Sequence, residues 1–173
     1  MNSEGQVFSQ RDGRFRAVLG HSAMTRMERL SAAARNKETG GILIGAYSDD
    51  LSTALVREAT PPSPDSRSGR DWLERGKIGL QELLLARWDD TPRSHYLGEW
   101  HFHTAAVPCP SGQDCQQMRT VAADPAYHCN NPLLVIVTPT SPKGFSFNVF
   151  VFPKGSPRVE LAIERHPPLR LER

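Results

Sequence analysis

Apolar residues alternate with polar ones, or form short unbroken runs, along most of this chain. Only three stretches carry them at helical spacing. Phe145–Val151 alternates and predicts a half-buried strand, whereas residues 133–137 are continuously apolar and predict a buried one. Residues 15–19, 41–47, Thr53–Ala59 and Val159–Ile163 predict further strands, with a turn at Ser48-Asp49-Asp50. Helical spacing occurs over residues 23–34, 72–88 and 115–123, the second despite Gly76 and Gly79. Residues 61–71, from Pro61 to Asp71, are rich in Pro, Ser, Asp and Arg and predict a loop. This pattern gives one α/β (α+β) domain at residues 15–165, preceded by a polar leader at 1–14 and followed by a tail at 166–173.

One predicted strand, Leu97-Gly98-Glu99-Trp100-His101-Phe102-His103, carries chemistry. Successive strand side chains point to opposite faces. Trp100 and Phe102 therefore face a core, while Glu99, His101 and His103 share the other side. Two imidazoles about 7 Å apart on one face can converge on a single ion. After a turn-prone loop with two prolines, Ser111 and Asp114 open the third helix in a pattern like an N-terminal cap. Its first turn can return Asp114 and Ser111 to the strand end. Two His and one Asp are ligands that Zn²⁺ accepts, and three protein ligands leave a fourth position for water. Ser111 has two roles open to it, a helix cap or a hydrogen-bond donor to an oxyanion. Hydrolysis at such a metal needs a carboxylate outside the ligand set. Glu38, at the mouth of the apolar run Gly41-Ile42-Leu43-Ile44-Gly45, is the candidate.

Composition narrows the setting. With 21 Lys and Arg against 19 Asp and Glu, the formal charge of +2 gives no reason to expect a nucleic-acid or membrane partner. No apolar run is long enough to cross a bilayer, and the first residues carry no apolar signal segment. Three cysteines do not make a disulfide framework, so Cys109, Cys115 and Cys129 are expected as free thiols in a cytoplasmic protein. A bridge between Cys109 and Cys115, or a second zinc at His128 and Cys129, stays open. His21, His95 and His166 read as surface or packing residues.

Glu38 with Gly41, Leu43 and Gly45, then His-x-His, seven residues, Ser, two residues and Asp, resembles the JAMM signature of the MPN zinc metalloproteases. The resemblance runs from about Phe15 to about Phe152. It implies an MPN/cytidine-deaminase-like mixed β-sheet flanked by helices, with zinc on His101, His103 and Asp114. It also implies Glu38 as base, Ser111 at the oxyanion, and Glu99 as a supporting or groove residue. The reaction implied is hydrolysis of the amide after the C-terminus of a ubiquitin-like or other conjugated protein. Two positions depart from the family pattern. Phe102 stands where Ser or Thr is common, and Thr104 where Pro is common. The segment Tyr96-Leu97-Gly98-Glu99-Trp100-His101, preceded by residues 60–66 and 79–84, looks like the short bacterial JAMM proteins of anti-phage operons, including CBASS systems, which carry E1-like and E2-like enzymes. A protease that only matures a ubiquitin-like precursor and a non-catalytic MPN scaffold remain as alternatives. In the first reading, residues 61–71, with Arg67 and Arg70, form a wall of a groove for an extended C-terminal tail.

Overall fold

The computed structural model describes residues 5–141 and 143–164. Its strands are β1 (Gln6–Ser9), β2 (Arg16–Leu19), β3 (Thr39–Tyr47), β4 (Thr53–Ala59), β5 (Arg67–Ser68), β6 (Leu73–Glu74), β7 (His95–Phe102), β8 (Leu133–Pro139), β9 (Phe145–Val151) and β10 (Val159–Ile163). The helices are α1 (His21–Ala34), α2 (Leu80–Asp89) and α3 (Gly112–Ala123). Eight strands close on themselves in the order β1-β10-β9-β8-β7-β3-β4-β2, and β5 and β6 form a separate hairpin. The sheet is mixed, as expected: β2–β4 and β7–β8 are parallel and the other pairs antiparallel. A parallel pair needs a long crossover, usually helical. Between β7 and β8 that crossover contains α3, whose N-terminus follows the C-terminal end of β7.

The side chains sort by strand parity. Leu133, Val135 and Val137 of β8 join Trp100, Phe102, Phe147 and Val149 in the inner core, with Ala23 and Met27 of α1 against them. Leu134 and Ile136 point the other way and meet Cys115 and Met118 of α3. Trp100 is fully buried, and its indole N–H donates to the Thr60 carbonyl at 2.9 Å, so no polar group is stranded. Met118 and Val121 are also buried. At about 1.5–3 kcal/mol for each such side chain, they hold α3 firmly where Asp114 is needed.

On β7 the alternation breaks once. The β3 partners run from Leu43↔Gly98 directly to Ile44↔Tyr96, leaving Leu97 unpaired in a bulge. This lets Tyr96 face outward although Trp100, four residues on, faces inward. Gly98 has φ +150°, and a Cβ there would lie 2.0 Å from the Leu133 carbonyl oxygen. Only glycine fits that backbone.

Two expectations are corrected here. The stretch read as a leader contains β1, paired with β2 and β10. The helix expected over 72–88 begins only at Leu80, because Gly79 takes a left-handed conformation (φ 80°) and ends the preceding loop. Leu73 and Glu74 belong instead to β6, paired with Arg67 and Ser68. The expected loop at 61–71 thus contains one arm of a hairpin. The tail at 166–173 lies outside the described residues. No helix among the described residues is long and apolar enough to cross a membrane.

Candidate metal centre

Three of the five predicted site residues lie together at the C-terminal end of β7 and the first turn of α3. One ligand atom from each of His101, His103 and Asp114 falls within 4.8 Å of the others, and all three residues are buried. His101 Nδ1 is 2.8 Å from Asp114 Oδ1, and His103 Nε2 is 3.3 Å from Asp114 Oδ2. His103 sits just beyond β7 and its backbone N–H donates to the Val137 carbonyl, which extends the ladder with β8 by one step.

Asp114 is placed by a reciprocal cap. Its backbone N–H donates to Ser111 Oγ at 3.1 Å, and its Oδ2 accepts from the Ser111 backbone N–H at 2.7 Å. Ser111 is therefore the cap of α3, and its own hydroxyl proton is not used by that bond. Burial pushes the Asp114 carboxyl up, but His101, His103 and Ser111 outweigh it and hold the group well below the usual carboxylate range. Burial lowers His101, yet the flanking Asp114 and Glu99 bring it up to about 9. Positive charge is wanted among these groups, and a divalent cation would supply it. The donor set of two nitrogens and one carboxylate oxygen fits Zn²⁺.

Glu38 stands just before β3. The last pair of the β3–β7 ladder is Thr39↔Phe102, so Glu38 and His103 are the next positions along the two strands. The Glu38 carboxyl is half-buried. Burial raises its affinity for a proton, Asp114 and Asp71 add to that, and His103 and His101 oppose it. It is thus the carboxylate of the group that holds a proton most readily, as a base that must later donate requires.

Glu99, on the same face, is not free for such work. Its side chain is 0% exposed; Oε2 is 3.2 Å from His101 Nε2 and Oε1 is 2.8 Å from Arg75 Nε. Burial alone would raise the carboxyl, but His101 and Arg75 hold it lowered and ionised. Opposite His101 on β3 lies Gly40, where a Cβ would meet the His101 ring at 3.1 Å and the Leu73 side chain at 2.8 Å. The imidazole packs against bare backbone.

The β5–β6 hairpin ties these segments together. The Glu38 backbone N–H donates to Gly69 carbonyl oxygen at 2.8 Å, and the Thr104 hydroxyl to that of Arg70 at 2.7 Å. The Gln113 side-chain amide donates to the Leu73 carbonyl at 3.1 Å. Sequence reasoning missed this strap, Arg75 and Gly40. A signal existed in Gly69-Arg70-Asp71-Trp72, a turn-like tetrapeptide between two short arms.

The remaining candidates fall elsewhere. Cys109 is exposed, Cys115 and Cys129 are buried, and all three are free thiols. Among the described residues the only grouping fit for a metal is His101, His103 and Asp114. His95 stacks on Tyr47, with ring centroids 5.7 Å apart, away from the cluster. His95 also lines a groove of about 1070 Å³ between α2 and residues 126–128, with Arg75, Tyr96 and Tyr127 at its floor.

Residues 21–149 match the family model described as prokaryotic homologs of the JAB domain. The chain is 38% identical, over 93% of its length and 88% of the relative's, to a CD-NTase/cGAS isopeptidase of Enterobacter hormaechei subsp. hoffmannii. It is 31% identical to a CD-NTase/cGAS isopeptidase of Pseudomonas aeruginosa, over 56% of its own length and 60% of the relative's. A solution structure of a Desulfitobacterium hafniense protein aligns at 22% identity and TM-score 0.49, covering 82% of this chain and 87% of that one. The family match spans most of the chain, including Glu38, both histidines, Ser111 and Asp114, and the chain belongs to the prokaryotic JAB/MPN family.

Proposed function

We propose that this protein is a zinc-dependent isopeptidase that removes a conjugated protein by hydrolysing the amide bond after its C-terminal residue. The observation that carries the reading is the buried His101/His103/Asp114 cluster with half-buried Glu38 outside it. The names of the two relatives favour a nucleotidyltransferase of the CD-NTase/cGAS class as the conjugated protein, with a ubiquitin-like protein as the broader class. E1-like and E2-like enzymes would make such conjugates, in the cytoplasm of a bacterium with an anti-phage operon of the CBASS type.

His101, His103 and Asp114 would hold the zinc, which when bound supplies a Lewis acid that acidifies water and polarises the scissile carbonyl. Glu38 takes the proton of the attacking water and passes it to the leaving amine. Ser111, with its hydroxyl proton free, donates to the oxyanion as the carbonyl carbon becomes tetrahedral. The substrate tail lies extended against the β5–β6 hairpin, joined by main-chain hydrogen bonds. Exposed Arg67 and Arg70 lie on that hairpin and its turn, available to carbonyl or acidic groups.

The test uses the zinc-loaded protein and a CD-NTase-class nucleotidyltransferase joined through its C-terminus to a reporter. Wild type should release the reporter, a chelator should stop release, and zinc should restore it. Glu38→Gln should bind zinc and release nothing. Zinc-loaded, folded wild type that cleaves neither this fusion nor one with a ubiquitin-like protein would refute the proposal.

A further inference from the structure

We infer that Thr104 and Gln113 are positioning residues that hold the β5–β6 hairpin fixed beside the site, so that the wall met by the substrate chain is already built. The inference deepens the isopeptidase reading above and rests on it for what the wall receives. The hairpin cannot hold its own place. Each arm has two residues, Arg67–Ser68 and Leu73–Glu74, and an isolated pair of such strands is marginal in water. It is nonetheless well defined internally. The Gly69 N–H donates to the Trp72 carbonyl at 3.0 Å, and the Trp72 indole folds back over Gly69, where no Cβ would fit. A pair bonded inward alternates with one whose main-chain groups turn outward. Ser68↔Leu73 is that next pair, so the Leu73 carbonyl points away from β5.

Three tethers join the hairpin to the three segments that carry the site. The Gly69 carbonyl accepts from the Glu38 backbone N–H at 2.8 Å, that of Arg70 from the Thr104 hydroxyl at 2.7 Å, and that of Leu73 from the Gln113 amide at 3.1 Å. Thr104 directly follows His103, and Gln113 directly precedes Asp114. The buried Leu73 side chain fills the space that Gly40 leaves open beside the His101 ring. A short hairpin with one apolar anchor swings about that anchor unless its turn is held too. Thr104 supplies the hold at the turn and Gln113 the hold on the β6 arm. A wall already fixed spares the substrate chain the cost of ordering it on binding. Loss of either side-chain tether therefore weakens substrate binding and leaves the chemical step alone.

Two measurements on the full chain test this. The first is amide hydrogen exchange without substrate. Protection of the Glu38 N–H, whose acceptor lies on the hairpin, should fall about 3–10-fold in Thr104→Val and in Gln113→Leu. Thr104→Ser keeps the hydroxyl and should match wild type. The His103 N–H, bonded to the Val137 carbonyl across β7 and β8, should keep its protection in every variant, which separates the hairpin from the metal cluster. The second measurement is turnover of the nucleotidyltransferase fusion by zinc-loaded protein. KM should rise about 3–10-fold in Thr104→Val and Gln113→Leu with kcat within about twofold of wild type, and Thr104→Ser should restore KM. Glu38 protection within about twofold of wild type in both variants would overturn the inference. So would a fall in kcat at unchanged KM, or Thr104→Ser behaving like Thr104→Val. Should Thr104→Val not fold, Gln113→Leu carries the same two readouts. Gln113 reaches Glu38 only through the hairpin, so its effect there tests whether the hairpin moves as a unit. Exchange is read without substrate, so it decides whether the tethers hold the hairpin even if wild type cleaves no fusion, a result that would refute the isopeptidase reading instead.

Discussion

At the scale of single residues, the candidate ligands were legible and their support was not. His101 and His103 share a face because they are two apart on a strand, and Asp114 returns because Ser111 caps a helix; both are local rules. Arg75 meets Glu99 across 24 positions, a pairing that only the folded chain creates. His101→Ala, His103→Ala and Asp114→Ala should each lose zinc, as elemental analysis would show. Asp114→Ala should also lower stability by about 1 kcal/mol, since it breaks the capping box. Ser111→Ala should cut turnover by about 10²–10³ if its hydroxyl reaches the oxyanion; a wild-type rate would leave it as a cap alone. Acidity offers a further check. His101 in the metal-free protein is raised from 6.5 to about 9, so its stabilising contribution is full below pH 6.5 and is lost as pH rises through 9. Melting of metal-free protein should drop over that window, and the drop should shrink in His101→Ala, where His103, also raised by Asp114, is left to supply the remainder.

Among the elements, strong periodic segments were read correctly, and the errors cluster where backbone conformation overrides pattern. β8, continuously apolar, is a buried strand, and β9 and β10 form where their patterns predict strands. The expected helix over 72–88 failed at Gly79, where a left-handed backbone sets the start, and apolar Leu73 turned out to face the site from a strand. The bulge in β7 was invisible, because Leu97-Gly98-Glu99 looks like ordinary alternation. Its glycine is nonetheless the most exacting position on the strand. Gly98→Ala adds a Cβ against the Leu133 carbonyl at a strained φ and should cost about 2–4 kcal/mol in chemical denaturation. A loss below about 1 kcal/mol would mean that β7 and β8 can separate slightly without harm.

For the molecule as a whole, closure of the sheet was not legible, since β1 lies in a polar stretch and earns its place only by pairing. The seam between β1 and β10 is short, with Phe8↔Ile163 and Ser9↔Ala162 in register, helped by an Arg16–Glu164 ion pair at 3.0 Å. Amide hydrogen exchange should find β1 and β10 opening before β7 and β8, whose residues lie in the buried core. Equal protection across all four strands would contradict this. The seam joins the two ends of the described chain, and contacts of such separation form slowly because the intervening loop must close first. During synthesis, Glu38, Arg75, Glu99, His101, His103, Ser111 and Asp114 all leave the ribosome before β10 does. The residues proposed to hold the metal and move the proton are thus all synthesised while the sheet still has an open edge, so closure of the wall should be the later event on the way to the folded protein.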